Sequence, residues 1–142
     1  MVIYLTIFLV GSAITNPALG EIGFDQFRQL KIREIQEHLR LVQEDPLDAK
    51  EYFKLGLAYM AMGRHKKEID AYLEAIRLDA NYAKAHFNLA MAYDILKNNE
   101  AAISHARKAE VLYGEKRKHR QVRQVRRYLN ILNEKYRFLK HK

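Results

Sequence analysis

Residues 49–63 read AKEYFKLGLAYMAMG, and residues 83–97 read AKAHFNLAMAYDILK. When the chain is aligned with itself at an offset of 34, nine of the 32 positions from residue 49 onward are identical. Apolar residues within each unit recur at intervals of three and four, which is the pattern of an amphipathic helix. Gly63 interrupts the first unit, and Asn98 with Asn99 interrupts the second. The period and the interruptions therefore predict two stacked units of two helices each.

The residues shared by the two units resemble those of the tetratricopeptide repeat (TPR) family. In the first unit the resemblance rests on Tyr52, Leu55, Gly56, Tyr59, Gly63, Ile69, Tyr72 and Ala75. In the second unit it rests on His86, Leu89, Ala90, Tyr93, Ala102, Ile103 and Ala109. Glu68 and Ala106 depart from the family pattern, which usually has Ala and an aromatic residue at these two positions. The resemblance covers residues 49–114 and implies an all-α fold, in which antiparallel helix-pair repeats stack as a TPR-like α-solenoid.

The segments on both sides of the repeats are expected to complete the stack, because two repeats alone bury little apolar surface. Residues 21–48 predict the leading helix of a degenerate repeat, running over 25–44 with Asp25 as its N-cap. Its apolar side would consist of Phe27, Leu30, Ile35, Leu39 and Val42. The basic C-terminal segment, residues 115–142, predicts a long helix over 117–140. This helix would cap the last repeat, or pair with a second copy as a coiled coil in a homodimer. Its apolar stripe consists of Val122, Val125, Leu129, Leu132, Tyr136 and Leu139.

The first twenty residues have the composition of an export signal. Residues 2–14 contain no charged side chain and are mostly apolar, which is short for a membrane span and typical of the core of a secretory signal. Ala18-Leu19-Gly20 offers the small residues of a cleavage site. No basic residue precedes the apolar run, so an uncleaved membrane anchor and a misassigned start codon stay open as alternatives. We expect residues 1–20 to be a signal peptide or anchor, with the rest of the chain periplasmic or on the outer side of the cytoplasmic membrane.

The composition argues against catalysis. The chain has no Cys, and after residue 20 it has no Thr and a single Ser, Ser104. The neighbouring His105 could not act as its base on a helix, because adjacent helical side chains point about 100° apart. The six His form no HExxH motif, and no two of them are four residues apart. We therefore expect a non-enzymatic protein with no catalytic residue, no metal and no cofactor. An unrecognised carboxylate site is the alternative.

The TPR resemblance also implies where a partner would bind. In this family the first helix of each repeat lines a concave surface. The matching positions here are Lys50, Phe53, Leu57, Met60, Lys84, Phe87, Met91 and Asp94. They differ from the family's carboxylate clamp, which places Lys and Asn where Phe53 and Leu57 stand. We expect a protein or peptide partner on this surface. The alternative is that a flanking helix fills the surface and makes these residues part of the core.

The net charge of +8 belongs to the C-terminus, because residues 115–142 carry 11 basic and 2 acidic side chains. On a helix Lys116, Arg120, Arg123 and Arg127 would form one stripe, roughly opposite the apolar stripe. Such a stripe could bind anionic lipid or an acidic protein, and the alternative is a solvated outer face. Export would separate the chain from nucleic acid, so nucleic acid is not expected as a partner.

The function expected from the sequence is an exported or membrane-tethered scaffold for protein interaction, with an apolar helical groove for a peptide or partner subunit. Two alternatives stay open. The chain could be an accessory subunit of an envelope enzyme or secretion complex. It could also bind anionic membrane surfaces through its basic C-terminal helix.

Overall fold

The structure, a computed structural model, describes residues 17–139 and contains six helices. In chain order they are α1 (Pro17–Glu44), α2 (Ala49–Ala61), α3 (His65–Leu78), α4 (Ala83–Ile95), α5 (Asn99–Glu115) and α6 (His119–Leu139). No strand occurs within residues 17–139, and the all-α prediction is confirmed. No helix in this range has both the length and the apolar composition of a membrane span. Residues 1–16 of the predicted signal or anchor (residues 1–20), including its apolar run, lie outside the described residues, and the predicted cleavage site after Gly20 falls near the start of α1.

Local geometry explains where the helices of the two repeats begin and end. The Asp48 carboxylate caps α2, because its Oδ1 accepts hydrogen bonds from the backbone N–H groups of Lys50 at 2.8 Å and Glu51 at 3.2 Å. The α2–α3 turn contains Gly63 at φ +65°, a conformation that glycine adopts without steric cost. The matching turn of the second unit contains Lys97 at φ 60°. Both turns therefore lie where the interruptions of the sequence pattern predicted them.

A third left-handed residue, Arg117 at φ 52°, separates α5 from α6. The sequence predicted one helix over 117–140, but α5 ends at Glu115 and α6 begins at His119. A residue in the left-handed region cannot continue a right-handed helix. Lys116 is consequently the C-cap of α5 and does not belong to α6. This corrects the predicted basic stripe, which loses its first member.

Helix α1 is longer than predicted and extends beyond the helix that it packs against. It begins at Pro17, so Asp25 lies inside the helix and does not cap it. Helix α1 has 28 residues and α2 has 13. Because each residue adds about 1.5 Å to a helix, α1 is more than twice as long as α2. Ile35 and Val42 are buried, whereas Phe27, Leu30 and Leu39 are exposed. The predicted apolar side of this helix is therefore only partly used in packing.

The core is divided among successive helices, as expected of stacked repeats. The cluster of α1, α2 and α3 consists of Ile35, Leu55, Ala58, Tyr59 and Ala71. The cluster of α2, α3 and α4 consists of Phe53, Ile69, Tyr72, Ala75, Ala85, Leu89 and Ala92. The cluster of α4, α5 and α6 consists of Phe87, Ala90, Ala102, Ala106, Ala109, Val125, Leu129, Leu132 and Tyr136. Helix α6 thus packs its apolar stripe against the last repeat and caps it. The alternative prediction had this stripe pairing with a second copy of the chain as a coiled coil.

Gly56 lies at the closest approach of α2 and α3. A Cβ added to this residue would lie 2.5 Å from Cδ1 of Tyr72, and other atoms of the same ring are also within reach. Tyr72 is completely buried, so its ring has no free space into which it could move. The small residue of the repeat pattern is therefore required by the packing of one aromatic ring.

Candidate functional site

The eight residues predicted for the concave face lie on α2 and α4, at positions related by the 34-residue period. Their exposure divides them into three groups. Phe53 and Phe87 are buried, with 4% and 8% of their surface exposed. Lys50, Met60 and Lys84 are exposed, and the other three are partly exposed. The predicted face is therefore open only in part.

Phe53 is covered by residues from the two neighbouring helices and the loop between them. Its ring centroid lies 5.6 Å from that of Tyr72 and 5.0 Å from that of Tyr82. Nζ of Lys84 lies 5.1 Å from the centre of the same ring, in cation–π geometry. Phe53 thus joins the first repeat to the second, and this corrects the expectation that its ring is open to a partner.

Phe87 is covered by α6. Its ring meets the ring of Tyr128 edge to face, at a centroid distance of 5.6 Å and an interplanar angle of 88°. Met91 is partly buried and packs against the same cluster. In the second repeat, the alternative that a flanking helix fills the surface therefore holds for Phe87.

Asp94 binds the far end of α6. Its Oδ1 accepts hydrogen bonds from Nζ of Lys135 at 2.5 Å and from the Tyr136 hydroxyl. Burial alone would raise the pKa of Asp94, but these two donors hold that pKa below its ordinary value. The carboxylate is committed to an intramolecular contact between α4 and α6.

The part of the concave face that stays open is formed by Leu57, Met60, Met91, Lys50 and Lys84. Met60 is the most exposed of the three apolar side chains, at 40%. Neither lysine forms a salt bridge within the described part of the chain. We refer to these five residues as the open concave patch. The patch consists of apolar surface with two positive charges beside it, and none of its five residues is acidic.

The basic stripe at the C-terminus is reduced to three arginines. Arg120, Arg123 and Arg127 lie on α6 and are exposed. Lys116 lies at the end of α5, where its Nζ donates a hydrogen bond to the carbonyl oxygen of Asn81 at 2.7 Å. That contact ties the end of the second repeat to the loop between the repeats.

Sequence reasoning missed a pair of histidines between α4 and α5. Nδ1 of His86 and Nδ1 of His105 are 3.0 Å apart, and Nε2 of His86 lies 3.3 Å from the carbonyl oxygen of Ala80. Burial lowers the pKa of both rings from the ordinary value of 6.5. The first repeat has Tyr52 and Ala71 at these positions. The repeat pattern gives no signal for this contact, because the first repeat has no histidine at either position.

Comparison with known proteins supports the fold. The family model described as "Domain of unknown function (DUF6340)" matches residues 48–134. No curated protein matches the sequence. The chain is similar to the structure of PcrH in complex with the chaperone binding region of PopD. The TM-score is 0.72 and the identity 18%, and the match covers 87% of this chain and 97% of that one.

Two further solved structures have the same architecture. One is the Yersinia enterocolitica type III secretion chaperone SycD in complex with a peptide of the translocator YopD. Its TM-score is 0.70 at 20% identity, covering 88% of this chain and 99% of that one. The other is the TPR2B domain of yeast Sti1 in a pHsp70 complex. Its TM-score is 0.70 at 17% identity, covering 76% of this chain and 86% of that one. The chain therefore has a TPR-like helical-repeat fold.

Proposed function

This chain belongs to the family described as a domain of unknown function (DUF6340), and we propose that it is a non-enzymatic scaffold that binds a segment of a partner protein. The proposed site is the open concave patch on α2 and α4. Stacked repeats hold their side chains at a fixed spacing, which suits recognition of a partner segment. A subunit of an envelope complex would be one partner of this kind.

Met60 supports this function most directly. Its side chain is 40% exposed, and the other apolar members of the patch, Leu57 and Met91, are partly exposed as well. Methionine is flexible and polarizable, so it adapts to partner side chains of different shape. Lys50 and Lys84 would orient such a segment through their charges.

Proteins of similar fold give independent support. PcrH is in complex with the chaperone binding region of PopD, and SycD is in complex with a peptide of YopD. Their low identity to this chain means that they support peptide binding as a use of the fold. They do not identify the peptide that this chain would bind.

The buried rings of Phe53 and Phe87 limit the depth of the proposed site. A partner segment would lie on the methionines and Leu57, since both aromatic positions are already filled from inside the protein. We expect a segment whose apolar side chains share one face, either as an amphipathic helix or at alternate positions of an extended chain.

A photo-crosslinking amino acid at position 60 tests the proposal in the native organism. We expect Met60 replaced in this way to form a specific adduct with one partner protein. The matched control is Leu73 on α3, which is also 40% exposed and lies outside the patch. Adducts of the same kind from both positions, or none from position 60, would contradict a binding site at the patch.

Arg120, Arg123 and Arg127 support a second candidate function, attraction of the chain to an anionic membrane surface. They are exposed and form no salt bridge within residues 23–137, whereas the neighbouring Arg126 pairs with Glu110. Vesicles containing phosphatidylglycerol should then bind the full chain better than neutral phosphatidylcholine vesicles do. Changing the three arginines to Gln should remove that difference, and unchanged binding of the triple variant would exclude this function.

A further inference from the structure

A cleft lies at the edge of the molecule where the paired helices of each repeat turn. Its volume is about 400 Å³, and it is lined by Gly63, Arg64, His65, Lys66, Lys67 and Leu96. The first five belong to the α2–α3 turn and the start of α3, and Leu96 is the C-cap of α4. None of these residues belongs to the open concave patch.

The rim of this cleft carries positive charge that the protein does not neutralise. Arg64 and Lys66 are exposed and form no salt bridge within residues 23–137. Nζ of Lys67 lies 5.7 Å from the ring of Tyr59, so its partner is an aromatic face without a negative charge. The acidic residue that follows Lys67, Glu68, is buried, and its carboxylate is hydrogen-bonded to Nδ1 of His65 at 2.8 Å.

The cleft also contains exposed apolar surface. Leu96 is 44% exposed, although the residue at the matching position of the first repeat, Met62, is partly buried against the core. Burial of such a side chain by a partner would contribute favourable free energy in proportion to the apolar area removed from water. The cleft thus combines an apolar surface with a cationic rim.

We propose that this cleft is a docking site for an acidic segment of a partner protein, which places an apolar side chain against Leu96 and carboxylates beside Arg64 and Lys66. Charge complementarity selects an acidic segment, because Arg64 and Lys66 form no salt bridge within residues 23–137. The site is separate from the open concave patch, so either can exist without the other.

Binding of a synthetic probe to the full chain tests the proposal. The probe is a short fluorescein-labelled peptide of Glu, Leu and Ala, and its counterpart has Lys in place of Glu. We expect fluorescence anisotropy to report binding of the acidic peptide and not of the basic one. No binding of the acidic peptide, or equal binding of both peptides, would overturn the proposal.

Two pairs of charge reversals locate the binding site. The variant Arg64→Glu with Lys66→Glu should weaken binding about tenfold or more. The matched control, Arg120→Glu with Arg123→Glu, makes the same change in net charge at the start of α6 and should bind as the wild type does. Negative side chains at the beginning of a helix are favourable, so both variants should fold. Equal losses in the two variants would mean general attraction to polyanions, which overturns the proposal.

Two single variants separate this site from the concave patch. Leu96→Asn should weaken binding of the acidic peptide, and Met60→Gln, which adds no charge near Arg64, should leave it unchanged. Loss of binding in Met60→Gln alone would assign the peptide to the concave patch and overturn the docking site at the cleft. That result would leave the proposed function standing, so failure of one proposal is distinguishable from failure of the other.

Discussion

A glycine and a tyrosine in the first repeat occupy positions that hold two alanines in the second. Gly56 and Tyr72 meet between α2 and α3, and Ala90 and Ala106 are the residues 34 positions later. Both alanines are completely buried in the cluster of α4, α5 and α6. In the first repeat the large ring of Tyr72 on α3 is matched by the small Gly56 on α2, because protein interiors are packed at nearly constant density.

Gly56→Ala should destabilise the protein, although alanine is the better helix former. The added methyl group would overlap the Tyr72 ring, and overpacking of this kind typically costs about 1–3 kcal/mol. The matched control is Gly114→Ala in α5, where no atom lies within 4 Å of the added Cβ. That change should stabilise the protein by about 0.5–1 kcal/mol. Thermal unfolding of both variants measures the difference, and equal shifts would mean that helix propensity alone decides.

The histidine pair makes the stability of the second repeat depend on pH. The carbonyl oxygen of Ala80 can only accept, so Nε2 of neutral His86 carries its proton and Nδ1 of His86 accepts from His105. Protonating His86 would direct two N–H groups at each other. Lys108 on α5 adds positive charge near His86, and Asp79 only partly offsets it.

The direction of the pH effect follows from the lowered pKa of both rings in the folded protein. Below about pH 6.5, the ordinary pKa of histidine, His86 and His105 bind more protons in the unfolded chain than in the folded one. The Tm should therefore fall as the pH is lowered through this range. In the double variant His86→Tyr, His105→Ala, which copies the first repeat, the decrease should be smaller. An identical decrease in the double variant would show that other groups cause it.

At the level of the helices, the length of α5 decides what covers the second repeat. Helix α5 has 17 residues and α3 has 14. Helix α6 therefore begins farther along the chain than the first helix of a third repeat would. Phe87 meets Tyr128 and Asp94 meets Tyr136, at separations of 41 and 42 residues, whereas Phe53 of the first repeat meets Tyr82 at a separation of 29. Helix α6 thus covers Phe87 and is fixed at its far end by the Asp94 carboxylate.

Phe87→Ala should lower the free energy of unfolding by about 3–5 kcal/mol, because it leaves a cavity under α6. Met60→Ala is the comparison on the same face, and it should cost much less because the side chain is 40% exposed. Chemical denaturation of both variants measures the two losses. If Phe87→Ala kept full stability and lost only partner binding, its ring would belong to the interface and α6 would not cover it in solution.

For the whole molecule, the uncharged apolar run near the N-terminus bears on the cellular compartment in which the protein works. Residues 2–14 are uncharged, and the basic excess lies in residues 115–142. We propose that the chain is exported and works outside the cytoplasm, either free after cleavage or held by its N-terminus.

N-terminal sequencing of the native protein, combined with cell fractionation, tests the export proposal. Cleavage after Gly20 should give a protein that starts at Glu21 in the soluble envelope fraction. A start at Met1 in the membrane fraction would favour the retained anchor. Recovery of the complete chain from the cytosol would exclude both forms of the proposal.

The sequence by itself determined the repeat and its helices. Helix propensity, periodicity and turn residues act over a few positions, so the two helix pairs and their turns were predicted correctly from local patterns. The small residue at position 56 was visible for the same reason, because it recurs as Ala90 with the period of the repeat.

Only the tertiary structure decided which of the predicted site residues are open. Whether Phe53 and Phe87 are exposed depends on Tyr82 and Tyr128, which reach them from other helices and loops. The break at Arg117 and the length of α5 set the position of α6, and neither changes the amphipathic pattern from which that helix was predicted. The contact of His86 with His105 likewise joins two helices across 19 residues. Burial is a property of neighbours in space, and periodicity along the chain shows which face a helix buries without showing what covers it.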